Sequence, residues 1–158
     1  MEHADLHSHE KYCVVCQGTS WFAIPAMSVR EICARPPMTP IPGAQRVLAG
    51  ICHVRNEFLP VLRLCCLVAA DESSDTNEQR VLVMTGHNGP WALAVDKVAG
   101  LESLEASIDT DVRLDDGGSS VVIGSATYRD HVVRVLDPKG AYRFAERVLE
   151  DASVLETG

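Results

Sequence analysis

The side chains able to do chemistry in this chain are thiols, imidazoles and a few charges set inside apolar runs. Six cysteines occupy positions 13, 16, 33, 52, 65 and 66, and His3, His7 and His9 make up half of the histidines. Thiolates and imidazoles are the ligands of zinc, and a thiolate is the nucleophile of redox exchange. Cys13-x-x-Cys16 has the spacing of both motifs. Its neighbours read as a strand, however, where side chains three apart point to opposite faces. Cys65 and Cys66 are adjacent, so they do not easily face one metal. The N-terminal imidazoles could hold a metal on an arm, but no thiol or carboxylate there is fixed by a fold. The chain has no Gly-rich phosphate loop and no H-E-x-x-H. A metal or redox protein built on Cys13, Cys16, Cys65, Cys66 and His53 is therefore kept as an alternative. The main reading takes the cysteines as small hydrophobes buried in a reducing compartment.

Two misplaced charges carry more information. In LAGICHVRNEFLPVLRLCCL, the apolar runs 48–54 and 58–64 flank Arg55-Asn56-Glu57. Short runs rich in β-branched and large apolar residues, separated by a turn signal, predict a hairpin. Asn56 tolerates the left-handed region such a turn requires. Pro60 lacks an N–H and predicts an edge strand or a bulge. Arg55 is a cation at the tip of an apolar hairpin, and it must reach water or a carboxylate. Glu31, a single acid inside MSVREI, is the matching partner by pattern. A partly buried pair of this kind would be costly to break from one side.

The elements that must hold these residues follow from the rest of the chain. With 158 residues, 46% of them apolar and 23% charged, the composition is that of one globular domain or two small lobes sharing a core. Asp and Glu number 22 against 14 Lys and Arg, net −8, which argues against a nucleic-acid footprint. No apolar run approaches a membrane span and no signal peptide opens the chain, so a cytosolic protein is expected.

Residues 1–10 read as a disordered tail. Residues 11–17 and 21–26 form a hairpin through Gly18-Thr19-Ser20. Residues 27–35 are a helix or a bending strand, ended by Pro36-Pro37. A turn over 43–48 leads into the central hairpin, a short helix covers 63–69, and ADESSDTNEQ at 70–79 is a mobile loop. Residues 80–85 and 91–95 form another hairpin, 98–101 a short strand, and 104–116 a polar mixed segment. Residues 120–126 and 131–136 form a last hairpin through Tyr128-Arg129-Asp130. Pro138 opens a helix to 149, with Asp137 as its N-cap and Tyr142, Ala145 and Leu149 at helical spacing. Residues 151–158 should fray. Eight to ten short strands joined by hairpins indicate a mostly β chain, either barrels or a sandwich.

From about Tyr12 to Tyr142 the chain resembles the CheW-like family of chemotaxis coupling proteins. The resemblance is carried by Phe22, Ile24-Pro25, Val29-Arg30-Glu31-Ile32, Ile41-Pro42, Gly50-Ile51-Cys52-His53-Val54-Arg55, Leu59-Pro60-Val61-Leu62, Ala94-Val95-Asp96-Lys97-Val98, Ile123-Gly124 and Val133-Arg134-Val135-Leu136-Asp137, in that order. It implies two SH3-like five-stranded β-barrels sharing a hydrophobic seam, with short helices and a C-terminal helix, in one domain over 11–150. It implies no catalysis and no cofactor. The implied partners are a CheA-type histidine kinase regulatory domain, which has the same fold, and the cytoplasmic hairpin tip of a chemoreceptor. No nucleic acid and no direct membrane insertion are implied, and the location would be cytoplasmic, at receptor arrays of the inner membrane. The partner-binding positions carried over are Val29, Glu31, Ile32, His53, Arg55 and Asn56, near a groove between the barrels, and Glu31 with Arg55 is the family's ion pair. The chain departs from the pattern where His53 replaces Asn, Asn56 replaces Gly and Arg63 replaces Asp. These departures point to a divergent coupler, of the kind found in accessory systems controlling pili or second messengers. A small-ligand sensor using the inter-barrel seam is the further alternative.

Overall fold

A computed structural model describes residues 5–43, 45–68, 79–86, 89–109 and 121–157. Eleven strands and two helices lie among them: β1 Asp5–Gln17, β2 Ser20–Pro25, β3 Val29–Ala34, β4 Met38–Thr39, β5 Leu48–Val54, β6 Glu57–Arg63, α1 Leu64–Leu67, β7 Arg80–Met84, β8 Trp91–Val95, β9 Lys97–Asp109, β10 Val122–Tyr128, β11 His131–Leu136 and α2 Pro138–Thr157. The strands make two sheets. One closes as a barrel in the order β1-β2-β11-β10-β9, and the other runs β3-β7-β8-β6-β5-β4.

The second sheet is inserted between β2 and β9. The chain leaves the barrel through a 3-10 turn at Ala26–Ser28 and returns through Asp96. Both sheets repeat one plan, in which a parallel pair (β11 with β2, β6 with β8) joins two antiparallel hairpins. They differ in the strand that closes them. The 13-residue β9 pairs with β1 along its length and also reaches β10 at Ser107 and Ile108. In the second sheet the same task is divided: β3 pairs with β7, the chain turns at Arg35-Pro36-Pro37, and β4 pairs with β5. Prolines cannot donate to a ladder, so the closing strand breaks there. The expected second five-stranded barrel is thus a six-stranded sheet whose two end strands are consecutive in the chain.

Two glycines allow the closing strands to approach. A Cβ on Gly124 would lie 2.3 Å from the Ser107 carbonyl oxygen, and one on Gly50 would lie 2.7 Å from that of Thr39. Each glycine sits at a register shift in its hairpin. Each hairpin then turns through two residues at positive φ, Arg55-Asn56 at 49° and 67° and Arg129-Asp130 at 49° and 67°. Two consecutive positive φ values make the type I′ turn that matches strand twist.

Burial separates three cores. Tyr12, Val14, Leu104, Ala106, Val133 and Val135 fill the closed barrel. Cys52, Val54, Leu59, Val61, Val81 and Val83 fill the concave side of the second sheet. Between the sheets lies a shared core of Phe22, Ile24, Leu62, Leu82, Trp91 and Leu93, joined by Leu64 and Leu67 of α1 and Ala141 of α2. Strand alternation explains the division: on β1, Tyr12 and Val14 face the barrel while Cys13 and Val15 face the seam.

Several sequence expectations need correction. The tail expected over 1–10 is strand from Asp5, paired with β9 up to Asp109. Residues 1–4 lie outside the described residues. The 104–109 portion of the segment read as polar and mixed belongs to β9, because Leu104 and Ala106 alternate inward. The frayed end expected over 151–158 is helical to Thr157, since no Gly or Pro interrupts the chain between Gly140 and Gly158. Pro60 lies inside a sheet rather than at an edge. It is accommodated because the parallel ladder from β6 to β8 begins only at Val61. The expected loop at 70–79, except Gln79, and residues 110–116 lie outside the described residues. No described helix is long and apolar enough to cross a membrane.

Candidate functional site

Glu31 lies on β3, at one end of the sheet order, and Arg55 in the β5–β6 turn, toward the other end, yet their side chains meet. Arg55 Nε donates to both Glu31 oxygens at 2.9 Å. Next to this pair, Arg30 Nη2 donates to Glu57 Oε1 at 2.7 Å. Two neighbouring residues of β3 therefore hold both flanks of the hairpin tip, bridging by side chains the opening that Pro36-Pro37 leaves. The clasp is wet: Arg55 is 75% exposed and Glu31 21%. The pair is thus partly buried on the Glu31 side only, and solvent screening at Arg55 lowers its energetic weight. Hydrogen bonding to Glu31, then its charge, pushes the Arg55 guanidinium further up. Beneath the clasp, burial first and then Glu31 push the Cys33 thiol up. Burial and then Cys33 do the same to Cys52.

Large apolar side chains are exposed on the hairpin, on β3 and at the crossing turn. Phe58 is 76% exposed and lies against His53 in a tilted arrangement, with ring centroids 4.7 Å apart and planes 34° apart. Ile32 is 40% exposed, on the outward phase of β3 with Arg30, and Met27 at the crossing turn is 94% exposed. Asn56 completes the turn beside Arg55. Of the six carried-over positions, Glu31 and Arg55 are in contact, and His53 and Asn56 share the hairpin with Arg55. Ile32 faces away from the clasp, and Val29 packs against the shared core. The site thus has a hairpin part and a seam part, with Val29 at the seam. Sequence reasoning missed Arg30, Glu57 and Phe58. Phe58 left a signal, since it falls on the outward phase of a strand whose Leu59 and Val61 point inward.

Beside Val29, a cleft of about 500 Å³ opens between the crossing turn, the β7–β8 connection and α2. It is lined by Ser28, Thr85, Lys139, Tyr142, Arg143 and Glu146, among others. These polar groups come from elements far apart in sequence, so no local motif announces them. Near Gly86 and Tyr142, the buried Trp91 Nε1 has no hydrogen-bond partner among the described residues. Lys139 N–H donates to Asp137 Oδ1 at 3.1 Å, which caps α2 at this cleft.

Among the described residues no three His, Cys, Asp or Glu side chains gather in a metal-holding group. Cys13 faces the shared core and is fully buried, while Cys16 is half-buried beside Asp96 and Lys97. His7 and His9 lie in β1, and His3 is outside the described residues. Cys65 and Cys66, adjacent in sequence, bring their sulfurs to 4.0 Å.

Comparison with known proteins agrees with this architecture. The model of the CheW-like domain family matches residues 11–145. Protein PilI of Pseudomonas aeruginosa is 31% identical over 85 residues, covering 54% of this chain and 48% of PilI, so the match spans about half of that relative's length. The crystal structure of the scaffolding protein TtCheW from Thermoanaerobacter tengcongensis superposes with a TM-score of 0.69 at 18% identity, over 82% of this chain and 90% of that one. At that identity the likeness concerns the fold.

Proposed function

The chain belongs to the CheW-like domain family, whose members are non-enzymatic adaptors, and from this premise we propose that it couples a chemoreceptor to a CheA-type histidine kinase in an accessory chemosensory system. In this reading residues 11–150 act as one unit at the cytoplasmic face of receptor arrays. The kinase's regulatory domain and the receptor's helical hairpin tip are its two partners. Val29, Glu31, Ile32, His53, Arg55 and Asn56 form the contact set, extended by Phe58.

The observation that carries this reading is the exposed Phe58 on the hairpin that bears the clasp. A large aromatic lying tilted against an imidazole and left 76% exposed, beside an ion pair that solvent screens at Arg55, fits a recognition surface better than a fold determinant. The clasp sets where the hairpin tip sits relative to β3, and thereby shapes the surface offered to a partner. The similarity to PilI supports an accessory system.

The test is a charge exchange. Arg55→Glu should abolish kinase coupling while leaving the melting temperature nearly unchanged. Adding Glu31→Arg should restore part of the coupling by rebuilding the clasp with reversed polarity. A double variant as inactive as the single one would show that Arg55 contacts the partner directly instead of through the clasp. Full coupling by Arg55→Glu alone would remove the hairpin from the site.

A further inference from the structure

We propose that Cys66, with Arg46 and Cys65, forms a peroxide-sensitive modification site at the junction of β6 and α1. Cys65 is buried in the single turn of α1, while Cys66 is half-buried and reachable. Their sulfurs lie 4.0 Å apart, and Arg46 Nη1 stands 3.4 Å from Cys66 Sγ. The backbone that carries the arginine is tied to β6: the Arg46 carbonyl accepts from Arg63 Nε at 3.1 Å, and Val47 O accepts from the Arg63 N–H at 2.8 Å. A partly accessible thiol beside a cation is the environment of reactive cysteines. Two other half-buried thiols also have a cation nearby, Cys16 with Lys97 and Cys33 with Arg55, but each of those faces a carboxylate as well, Asp96 and Glu31. Cys13, Cys16, Cys33 and Cys52 all have thiols pushed up by burial.

The chemistry closes within the site. Cys66 sulfur attacks a peroxide oxygen, the O–O bond breaks, and Cys66 becomes a sulfenic acid with release of water or an alcohol. Cys65 sulfur then attacks Cys66 sulfur, water leaves, and a disulfide forms. One peroxide is thereby reduced by two electrons taken from two thiols. Adjacent Cα atoms are about 3.8 Å apart, below the roughly 4.4–6.8 Å that relaxed disulfides span. The product is therefore strained and readily reduced. Its formation distorts α1, whose Leu64 and Leu67 belong to the core shared by the two sheets. Oxidation would thus loosen the seam reversibly.

The experiment treats the reduced, full chain with hydrogen peroxide and follows each cysteine by alkylation and peptide mass mapping. Cys66 should be lost roughly tenfold faster than Cys13 or Cys52. Cys65→Ser should accumulate a sulfenic acid at Cys66 that dimedone traps. Arg46→Gln should slow Cys66 several-fold with unchanged melting, and Arg46→Lys should keep most of the rate. Phenylarsine oxide, which bridges two nearby thiols with loss of water, should bind the unmodified chain one to one and fail with Cys66→Ser. Cys66 reacting no faster than the enclosed thiols would overturn the proposal, as would a Cys65→Ser chain without a trapped adduct or Arg46→Gln at the full rate.

Discussion

Cys13 has no exposed surface, and burial pushes its thiol up to about 11 from 9.0. The unfolded chain would release that proton near pH 9 while the folded chain keeps it, so stability is full below pH 9 and falls as pH rises toward 11. Two pH units correspond to roughly 2–3 kcal/mol. Urea denaturation of Cys13→Ala at pH 8 and pH 10.5 should show a smaller alkaline loss than the parent chain, and an identical loss would mean that this thiol does not contribute. Glu31 and Arg55 were legible in the sequence, the one as the single acid of an apolar segment and the other as a cation at the tip of an apolar hairpin. Arg30 and Glu57 were not, because an exposed pair leaves no mark on hydropathy. Gln17 was missed for a different reason. It is 2% exposed, yet its partner Asp96 is distant in the chain, and nothing local shows that its amide is satisfied.

Hairpins were the most readable elements. Turn residues and alternation located β1–β2, β5–β6, β7–β8 and β10–β11, while β9 was underestimated because its outward residues are Glu and Ser. What no pattern revealed was how the sheets close, since that depends on backbone approach at two glycines. Gly124→Ala and Gly50→Ala each place a methyl group inside contact distance of a carbonyl oxygen. Each should cost roughly 2–4 kcal/mol, because the backbone and not a flexible side chain must move. Gly43→Ala, at φ +79° in open space, should cost about 1–2 kcal/mol from backbone strain alone. Chemical denaturation of the three variants checks the order. Equal losses would show that close approach plays no part. The corresponding positions of the two hairpins, Phe58 at 76% and Val132 at 72% exposure, show that the repeated plan extends to the surface.

The whole molecule is held by one sheet inserted into another, with a core common to both. At the return crossing, Gly18 N–H donates to Asp96 Oδ2 at 2.8 Å, Gln17 Nε2 to Oδ1 at 3.3 Å, and Asp96 N–H to Gln17 Oε1 at 3.3 Å. Asp96→Ala leaves the buried amide of Gln17 without its carboxylate. It should destabilise by roughly 1–3 kcal/mol, read by urea denaturation, and a neutral result would remove the junction from the account. This two-lobed organisation was legible through resemblance rather than periodicity, because alternation locates strands but does not say which sheet receives them. The central claim is that the chain works as a bridge and not as a catalyst. It is tested most directly by titrating the chain into a fixed mixture of the CheA-type kinase and receptor-bearing membranes while measuring kinase autophosphorylation. A bridge should raise activity up to equal stoichiometry and lower it in excess, when separate copies occupy the two partners. Saturation at trace amounts, or no response at any ratio, would contradict the account.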